Sequence, residues 1–308
     1  MNIMTQVVAT LGVACGVAAP LGAEELRIGT ASIGGAFFPV GQTISNLVNA
    51  RADGNFSIVP IVTQGSVQNP RLVNDGEVDL GITSADLAAD AVAGEGAYQG
   101  STMQLAALGP LHPSILHMIV PADSDIHTFD DLRGKRVAVG PAGGGTLGFL
   151  NKIMPIHDMT MDDITPSFLS YGDGFSQLSD GNVDAALALS GYPAAAVMQA
   201  AASEELRMID LRPENLAQIL DQNPAYSTFD IPADIYDMGQ DSTVIGVTNM
   251  LILRSDMDDG QVGQIVSAIY DHLDEFTAEN ANGAQIDKSR ATQLAIPLHP
   301  VAAAYFGQ

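Results

Sequence analysis

Two glycine-rich stretches are the parts of this sequence best suited to chemistry. The first, Gly34-Gly35, follows a short apolar run and precedes a helical pattern of apolar residues. The second, Gly143-Gly144-Gly145, is placed in the same way. A turn between a strand and a helix presents backbone N–H groups and a helix N-terminus, which bind anions without Lys or Arg. A tight turn that holds no ligand gives the same pattern, so the glycines alone leave both interpretations open.

Other kinds of chemistry have little support in the sequence. No Gly-x-Ser-x-Gly pattern is present, no Lys follows Gly145 as in a phosphate-binding P-loop, and Cys15 is the only cysteine. The six histidines show no metal-binding spacing, and the acidic pairs lie in predicted turns. We therefore expect no catalytic residues, no metal and no cofactor, and we predict that the chain is not an enzyme.

The charge of the chain narrows the range of partners. Its 308 residues contain 36 acidic and 12 basic side chains, a net charge of −24. Such a surface repels nucleic acid and anionic lipid, so we expect no nucleic-acid partner. The length suffices for two lobes, each with its own core. We also expect the protein to be a monomer.

Residues 1–23 are predicted to be a signal peptide, which places the mature chain in the periplasm. Val7–Leu21 is an apolar run of mostly small residues, and cleavage is expected after about Ala23. The segment before this run has no Lys or Arg, which is unusual for a signal. A misplaced start codon, a short buried helix and lipid attachment at Cys15 remain as alternatives.

The elements that position the glycine turns follow one another as strand, turn and helix. This order predicts parallel sheets, whose ligands lie beyond the carboxyl ends of the strands. Ser66 is predicted to cap a helix over Val67–Asn74. The small polar residues expected at this sheet edge are Thr30, Ser32, Thr63, Gln64, Ser66, Thr83 and Ser84.

The sequence also contains an internal repeat. Residues 75–79 and 180–184 share the pattern Asp-Gly-x-Val-Asp, and each precedes an apolar strand, although chance similarity is possible over so few residues. Asp79 and Asp184 are expected to brace their turns. We predict two equivalent lobes, residues 24–115 with 247–308 and residues 116–246. Strands at Leu116–Val120 and Thr243–Leu253 would join them as a hinge, and residues 203–241 are predicted to be irregular.

A set of motifs in a fixed order makes the chain similar to a known family. The motifs are Gly29-Thr30-x-Ser32-x-Gly34-Gly35-x-x-x-Pro39, Gly65-Ser66-Val67-x-Asn69, Gly76-Glu77-Val78-Asp79-Leu80-Gly81-Ile82, Leu132-x-Gly134-Lys135-Arg136-Val137, Gly144-x-Thr146 and Pro297-Leu298-His299-Pro300. From about residue 26 to residue 306 the chain resembles the TAXI family, the extracytoplasmic solute receptors of tripartite ATP-independent periplasmic (TRAP) transporters. The resemblance implies an α/β, two-lobe type II periplasmic-binding-protein fold. Each lobe would be a mostly parallel sheet flanked by helices, with a ligand cleft between the lobes.

The resemblance also implies which residues contact a ligand, namely a small carboxylate of the glutamate and 2-oxoglutarate class. In the first lobe these are Ser32, Gly34, Gly35, Phe37, Phe38, Gln64, Ser66 and Ser84. In the second lobe they are Gly144, Gly145, Thr146, Ser190, Gly191 and Tyr192. Ile33 and the pair Phe37-Phe38 depart from the family pattern and would make the pocket less polar.

The function expected from these observations is solute capture and delivery to the membrane permease subunits of a TRAP transporter. Closure of the cleft would be a hinge motion favoured by ligand contacts to both lobes. Two alternatives remain open from the sequence, a binding protein that feeds a membrane sensor and an enzyme on the same fold.

Overall fold

This computed structural model describes residues 23–52 and 56–307. The predicted signal segment through Gly22, including Cys15, lies outside the described residues. Ten strands are described. They are β1 (Glu24–Gly29), β2 (Phe56–Ile61), β3 (Leu80–Ser84), β4 (Leu105–Pro121), β5 (Arg136–Ala138), β6 (Thr165–Ser167), β7 (Ala185–Ser190), β8 (Leu206–Met208), β9 (Tyr226–Ile231) and β10 (Ser242–Arg254).

Ten α-helices cover the faces of the strands in the described ranges. They are α1 (Phe37–Asn49), α2 (Asn69–Asn74), α3 (Ala85–Ala93), α4 (Gly145–Ile153), α5 (Tyr171–Ser179), α6 (Ala195–Ala201), α7 (Pro213–Gln222), α8 (Asp259–Tyr270), α9 (Leu273–Glu279) and α10 (Pro300–Tyr305). None of the helices in this part of the chain combines the length and the hydrophobicity that a membrane crossing requires.

The strands form one mixed sheet in the order β2-β1-β3-β10-β4-β7-β5-β6, with β8 beside β4 and β9 beside β10. The pairs β1/β2, β1/β3, β5/β6 and β5/β7 are parallel. The two long strands β4 and β10 run antiparallel to their neighbours. Each half of the sheet is therefore less parallel than predicted, because the connecting strands enter it in the opposite direction.

The long strands change partners along their length. β4 pairs with β10 as far as Ile115 and with β7 from Ile115 to Ile119. β10 pairs with β9 from Ser242 to Val247 and with β3 from Asn249 to Leu253. We name the parts on either side of the predicted boundaries, 115/116 and 246/247, the first lobe (before 116 and after 246) and the second lobe (116–246). This division into domains stays a prediction.

Each lobe has its own apolar core, and a third core joins the two. In the first lobe, Ile44 of α1 belongs to the same buried cluster as Ile265 of α8. In the second lobe, Phe175 of α5 shares a cluster with Val197 of α6. The joining cluster contains Phe149 of the second lobe. Since this cluster also includes residues of the first lobe such as Leu87, the lobes share buried apolar surface.

The Asp-Gly-x-Val-Asp repeat is built twice in the same way, as predicted. The backbone N–H of Arg27 donates to Oδ2 of Asp79 at 2.7 Å, and that of Arg136 donates to Oδ2 of Asp184 at 2.7 Å. The glycines of the two turns, Gly76 and Gly181, have φ values of 72° and 70°. A left-handed φ of this kind favours glycine.

Three local predictions are wrong. β4 begins at Leu105, ahead of the predicted start at Leu116, and it tolerates Pro110 and Pro113 because it has a bulge between them, where its ladder with β10 shifts register. Residues 203–241 contain β8, α7 and β9, and Pro213 fits the first turn of α7. Helix α2 begins at Asn69 with no side-chain cap, so Ser66 does not cap it.

Candidate functional site

A cavity lies where the two lobes meet, at the carboxyl ends of the parallel strands. Its volume is about 10 Å³, roughly the room that one water molecule needs. Its lining consists of Ala31, Ser32, Gly35, Ala36, Phe37, Gln64, Gly65, Ser66, Gly145, Tyr171, Leu189 and Ser190. Because residues of both lobes surround this space, an organic ligand enters only if the lobes separate.

The first glycine turn is hydrogen-bonded to the second lobe. The N–H of Ala36 donates to Oγ of Ser190 at 2.9 Å, and this pair is buried. The N–H of Ala196 donates to the carbonyl of Gly34 at 3.1 Å. These bonds hold the turn against β7 and α6, so the two lobes are closed on each other at the base of the cleft.

The second glycine turn makes the reciprocal contact with the first lobe. The N–H of Gly143 donates to Oε1 of Gln64 at 2.6 Å. In return, the N–H groups of Val67 and Gln68 both donate to the carbonyl of Gly143 at 3.2 Å. Each turn therefore has a backbone N–H group bound to a side chain of the opposite lobe.

Both turns lead into helices whose N-termini lack a side-chain cap. The N-cap residues are Ala36 for α1 and Gly144 for α4. Neither residue has a side-chain acceptor for the N–H groups of the first turn. A helix N-terminus without its own cap suits an acceptor from outside the helix, and an anion is the favoured one.

Seven of the fourteen predicted site residues line the cavity. They are Ser32, Gly35, Phe37, Gln64, Ser66, Gly145 and Ser190. The other seven, which lie outside the lining, are Gly34, Phe38, Ser84, Gly144, Thr146, Gly191 and Tyr192. Contact of any of the fourteen with a ligand stays a prediction.

Two of the hydroxyl groups outside the lining serve the structure of their own surroundings. The Thr146 hydroxyl accepts the N–H of Leu189 at 2.9 Å. The Ser84 hydroxyl donates to Oδ1 of Asp86 at 2.6 Å, at the start of α3. Both groups are buried, and these hydrogen bonds engage them within the protein.

The two phenylalanines of the first turn are placed differently. Phe37 is buried and lines the cavity, with its ring edge-on to His112 at 6.0 Å between centroids. Phe38 is half-buried and lies outside the lining. The side chain of Ile33 is 65% exposed. Ile33 therefore does not make the pocket less polar, because its side chain points to solvent, and that prediction is wrong.

The remaining second-lobe candidates lie behind or beside the cavity. Gly191 is buried against the first lobe, where an added Cβ would lie 2.6 Å from Cδ2 of His112. Tyr192 packs on the second-lobe core, and its carbonyl accepts Nε2 of Gln285 at 2.6 Å. Gly191 therefore permits close contact between the two lobes, because any side chain at this position would push the second lobe away from His112 of the first lobe.

Sequence reasoning missed Tyr171, the first residue of α5, which also lines the cavity. Its hydroxyl lies 2.8 Å from Oγ1 of Thr146 and donates to the carbonyl of Leu189 at 3.1 Å. Burial raises the pKa of Tyr171, so the phenol stays protonated. The available signal was Ser170, an N-cap that accepts the N–H of Asp173 and so places another helix N-terminus at the same sheet edge.

A second missed group lies behind the first turn. Both ring nitrogens of His112 and Oδ1 of Asn282 are buried without a hydrogen-bond partner among the described residues. Burial lowers the pKa of His112 to about 3, so the ring is neutral at physiological pH. Both side chains touch the space that a Cβ at Gly191 would occupy. Separation of the lobes at Gly191 would expose them.

An ion cluster forms another contact between the lobes. Nζ of Lys152 on α4 lies 2.9 Å from a carboxylate oxygen of Asp86 and 2.9 Å from one of Asp90, both on α3. The Tyr226 hydroxyl donates to Asp86 at 2.9 Å. Burial disfavours the charge of Lys152, but the two carboxylates outweigh it and raise the pKa of the ammonium group. The cluster therefore favours the closed arrangement at neutral pH.

A metal site is not indicated within residues 23–52 and 56–307, where no group of three or more His, Cys, Asp or Glu side chains is arranged to hold an ion. The cavity lining contains hydroxyl, amide, phenol and backbone groups and no charged side chain in this part of the chain. Such a lining can bind a polar ligand by hydrogen bonds.

The chain is similar in fold to solved proteins from work on ABC transporters. A putative L-cystine ABC transporter protein from Listeria monocytogenes matches with a TM-score of 0.55 and 12% identity, over 86% of this chain and 99% of that chain. A Streptococcus mutans protein, solved in work on glutathione import through GshT and the cystine ABC importer TcyBC, matches with a TM-score of 0.53 and 15% identity. That match covers 87% of this chain and 99% of the other. These likenesses confirm the predicted α/β, two-lobe fold.

The family follows from a separate comparison. A model of the NMT1-like family matches residues 28–307, which is nearly all of the described chain. This range contains both glycine turns, the repeat and the two long strands. The chain therefore belongs to the NMT1-like family.

Proposed function

We propose that this chain is an extracytoplasmic solute receptor whose two lobes close on a small organic anion. The observation that supports this most directly is the reciprocal bonding of the glycine turns. The N–H of Ala36 is bound to Ser190, and the N–H of Gly143 is bound to Gln64. When the lobes separate, these N–H groups lose their protein acceptors. A ligand with acceptor oxygens would then take both positions and draw the lobes together.

The ligand class follows from the groups at the cleft. Backbone N–H groups at two uncapped helix N-termini favour an anion, and the hydroxyls of Ser32, Ser66 and Ser190 add neutral hydrogen bonds. The resemblance to TAXI receptors supports a carboxylate of the glutamate and 2-oxoglutarate class. Hydrogen bonds to charged groups contribute about 1.5–3 kcal/mol each. A few of them support micromolar binding after the costs of association.

The hinge lies where the long strands cross between the lobes. Between Thr248 and Met250 of β10 the register shifts, because β4 has a bulge in which Leu111 and His112 both lie opposite Asn249. At the bulge, Nδ2 of Asn249 donates to the carbonyl of His112 and to Oγ of Ser114, both at 2.8 Å. A side chain thus replaces regular ladder bonds at this point. Bending at such an irregular position costs less than bending a continuous ladder.

Binding is favoured over catalysis by the composition of the cleft. In the described part of the chain, the lining has no histidine, carboxylate or lysine that would act as a base for its hydroxyl groups. The Ser190 hydroxyl accepts the N–H of Ala36, and this bond stabilises the closed arrangement of the lobes. A sensor-coupled receptor would share these features, and only its membrane partner would differ.

Delivery to a TRAP-type permease is the proposed next step. The family motifs support it, whereas the solved structures described above belong to work on ABC transporters and bear on the fold alone. Uptake of the ligand into vesicles that contain the permease distinguishes a TRAP transporter from an ABC transporter. Transport driven by a sodium gradient without ATP supports the TRAP assignment, and a strict requirement for ATP contradicts it.

A thermal-shift screen of the purified chain tests the function. The panel contains glutamate, glutamine, 2-oxoglutarate, other small mono- and dicarboxylates, branched-chain oxo acids and phosphate. A carboxylate at 100 times its Kd is expected to stabilise the fold by about 2.7 kcal/mol. The informative variant is Ser32→Ala. Oγ of Ser32 is buried without a hydrogen-bond partner among the described residues, so removing this hydroxyl should destabilise the unliganded protein little.

The matched control is Ser176→Ala, which changes an exposed serine on α5 outside the cleft lining. The stabilisation by the ligand is expected to fall in Ser32→Ala and to remain in Ser176→Ala. No response to any carboxylate, or a response to phosphate alone, would contradict the proposal. Consumption of a bound carboxylate would establish an enzyme instead.

A further inference from the structure

A second cavity lies outside the cleft, between the beginning of β9 and the C-terminal segment. Its volume is about 440 Å³, within the range of small-molecule sites. The wall includes Ala225, Leu294 and Ala295 as apolar residues and Ser227 and Thr248 as hydroxyl residues. We call this space the Arg290 groove, after the one cation in its described wall. Unlike the cleft, it has room for an organic molecule in the closed arrangement of the lobes.

Arg290 keeps most of its hydrogen-bonding capacity. Its Nη1 donates to Oγ1 of Thr248 at 2.8 Å, which uses one of the five guanidinium N–H donors. Oδ2 of Asp287 is 3.8 Å from its Nε, beyond hydrogen-bond distance. The other oxygen of Asp287, Oδ1, accepts the N–H and the hydroxyl of Ser289. Asp287 is therefore a weak partner of the guanidinium group.

The groove differs from other arginine-lined surfaces of this acidic protein. No carboxylate belongs to its wall in the part of the chain that the structure describes. The cavity at Arg254, by contrast, is lined by Glu24, Asp79, Asp256 and Asp258. Arg254 is also paired with Asp256 at 3.0 Å. In a chain with a net charge of −24, an anion is repelled from the Arg254 cavity and attracted to the Arg290 groove.

We propose that the Arg290 groove is a second binding site, which takes a small monocarboxylate with a short apolar chain. The guanidinium fork binds both carboxylate oxygens, a pairing for which arginine is better suited than lysine. Ser227 and Thr248 offer further hydrogen bonds, and the apolar chain lies against Ala225 and Leu294. The site is separate from the cleft and does not depend on the function proposed for it.

The walls of the groove come from both lobes. Ala85 also borders the groove and precedes Asp86, whereas Ser227 follows Tyr226. The Tyr226 hydroxyl donates to Asp86 at 2.9 Å, so the two walls are joined by a bond of the interlobe ion cluster. A ligand in the groove that favours the closed arrangement must, by reciprocity, bind more tightly when the cleft is closed.

Titration calorimetry of the full chain with hexanoate tests the proposal. Saturable binding to the wild type is expected, with at least tenfold weaker binding in Arg290→Gln. The matched control Arg254→Gln changes an exposed arginine at the acidic cavity and should bind as the wild type does. A second variant, Ala295→Trp, fills the groove at an exposed position and should weaken binding to a similar extent.

Hexanamide has the same chain without the charge, and it is expected to bind at least tenfold more weakly than hexanoate. Unchanged hexanoate binding in Arg290→Gln overturns the proposal, as does equal binding of hexanamide or the absence of saturable binding to the wild type. Loss of hexanoate binding in Ser32→Ala, with Arg290→Gln unaffected, would assign the ligand to the cleft and also overturn it.

Discussion

The two glycine turns have the same construction but different surroundings. Each links a strand to an uncapped helix, and each donates an N–H to a side chain of the opposite lobe. The bond from Ala36 to Ser190 is buried at the base of the cleft, whereas the bond from Gly143 to Gln64 is exposed at its rim. Water can replace the acceptor at the rim at little cost. At the base the bond is buried, so leaving its N–H without any acceptor costs about 1–3 kcal/mol.

The glycines beside these contacts give the largest expected contrast. At Gly191 an added Cβ would lie 2.6 Å from Cδ2 of His112 and closer still to Oδ1 of Asn282, in a buried space. Gly191→Ala should therefore disfavour closure by about 1–3 kcal/mol. Small-angle X-ray scattering should show a larger radius of gyration for this variant, and the thermal shift with ligand should be smaller.

The matched variant is Gly143→Ala at the rim. Its Cβ would lie 2.8 Å from Oε1 and 2.9 Å from Cβ of Gln64, an exposed residue at the rim, where the side chain can turn away and the loop can shift slightly. Scattering from Gly143→Ala is expected to match that of the wild type. Equal radii of gyration for the wild type and Gly191→Ala would show that the base of the cleft accommodates an added Cβ as easily as the rim does.

Two buried histidines on β4 give the next contrast, one on each side of the lobe boundary. Burial lowers the pKa of His112 to about 3 and that of His117 to about 4. Unfolded histidine titrates near its ordinary pKa, so the unfolded chain binds more protons below about pH 6.5 and stability is lost as the pH falls. Each histidine should account for on the order of 2–3 kcal/mol of this loss by pH 4.5.

Phenylalanine at either position should reduce the loss of unfolding free energy between pH 7.5 and pH 4.5, as measured by urea unfolding. At pH 7.5 the two variants should differ. His117 lies 2.7 Å from the Tyr236 hydroxyl and 3.2 Å from the carbonyl of Ala188, so His117→Phe removes two buried hydrogen bonds, whereas His112→Phe removes none among the described residues. If the wild type and both variants lost the same free energy of unfolding between pH 7.5 and pH 4.5, His112 and His117 would not be the source of the acid destabilisation.

The aspartates of the repeat give the smallest contrast. Asp79 accepts the backbone N–H of Arg27. Asp184 accepts the backbone N–H of Arg136 and also its Nε and Nη2, at 3.2 and 2.6 Å. Asp184→Ala should cost about 2 kcal/mol and Asp79→Ala about 1 kcal/mol in urea unfolding, since both sites are partly exposed. A larger loss of unfolding free energy in Asp79→Ala than in Asp184→Ala would contradict this expectation.

The repeat was predictable because its signal is local. In Asp-Gly-x-Val-Asp the glycine sets the turn and the second aspartate reaches the preceding strand, and both Asp79 and Asp184 do so. The α1 stripe of Val40, Ile44 and Val48 was equally clear and is buried. Predictions of this kind require only a few neighbouring residues and the period of a helix or strand.

The rest of the site depends on contacts between distant residues. Tyr171 lines the cavity because Thr146 and Leu189 hold its hydroxyl, and His112 belongs to the cleft because Gly191 of the other lobe covers it. No spacing within the sequence indicates such pairs. Their formation depends on the way in which β4 and β10 bring the lobes together.

The path of β4 and β10 also affects the order in which a newly made chain can fold. β10 lies between β3 and β4 in the sheet, and the ribosome makes it only after the whole second lobe. The N–H of Ala107 at the start of β4 donates to the carbonyl of Pro297, so this strand also awaits a segment near the end of the chain. The first lobe therefore cannot complete its sheet during most of translation. Such late closure of the sheet keeps the first lobe incompletely folded until the chain is nearly finished.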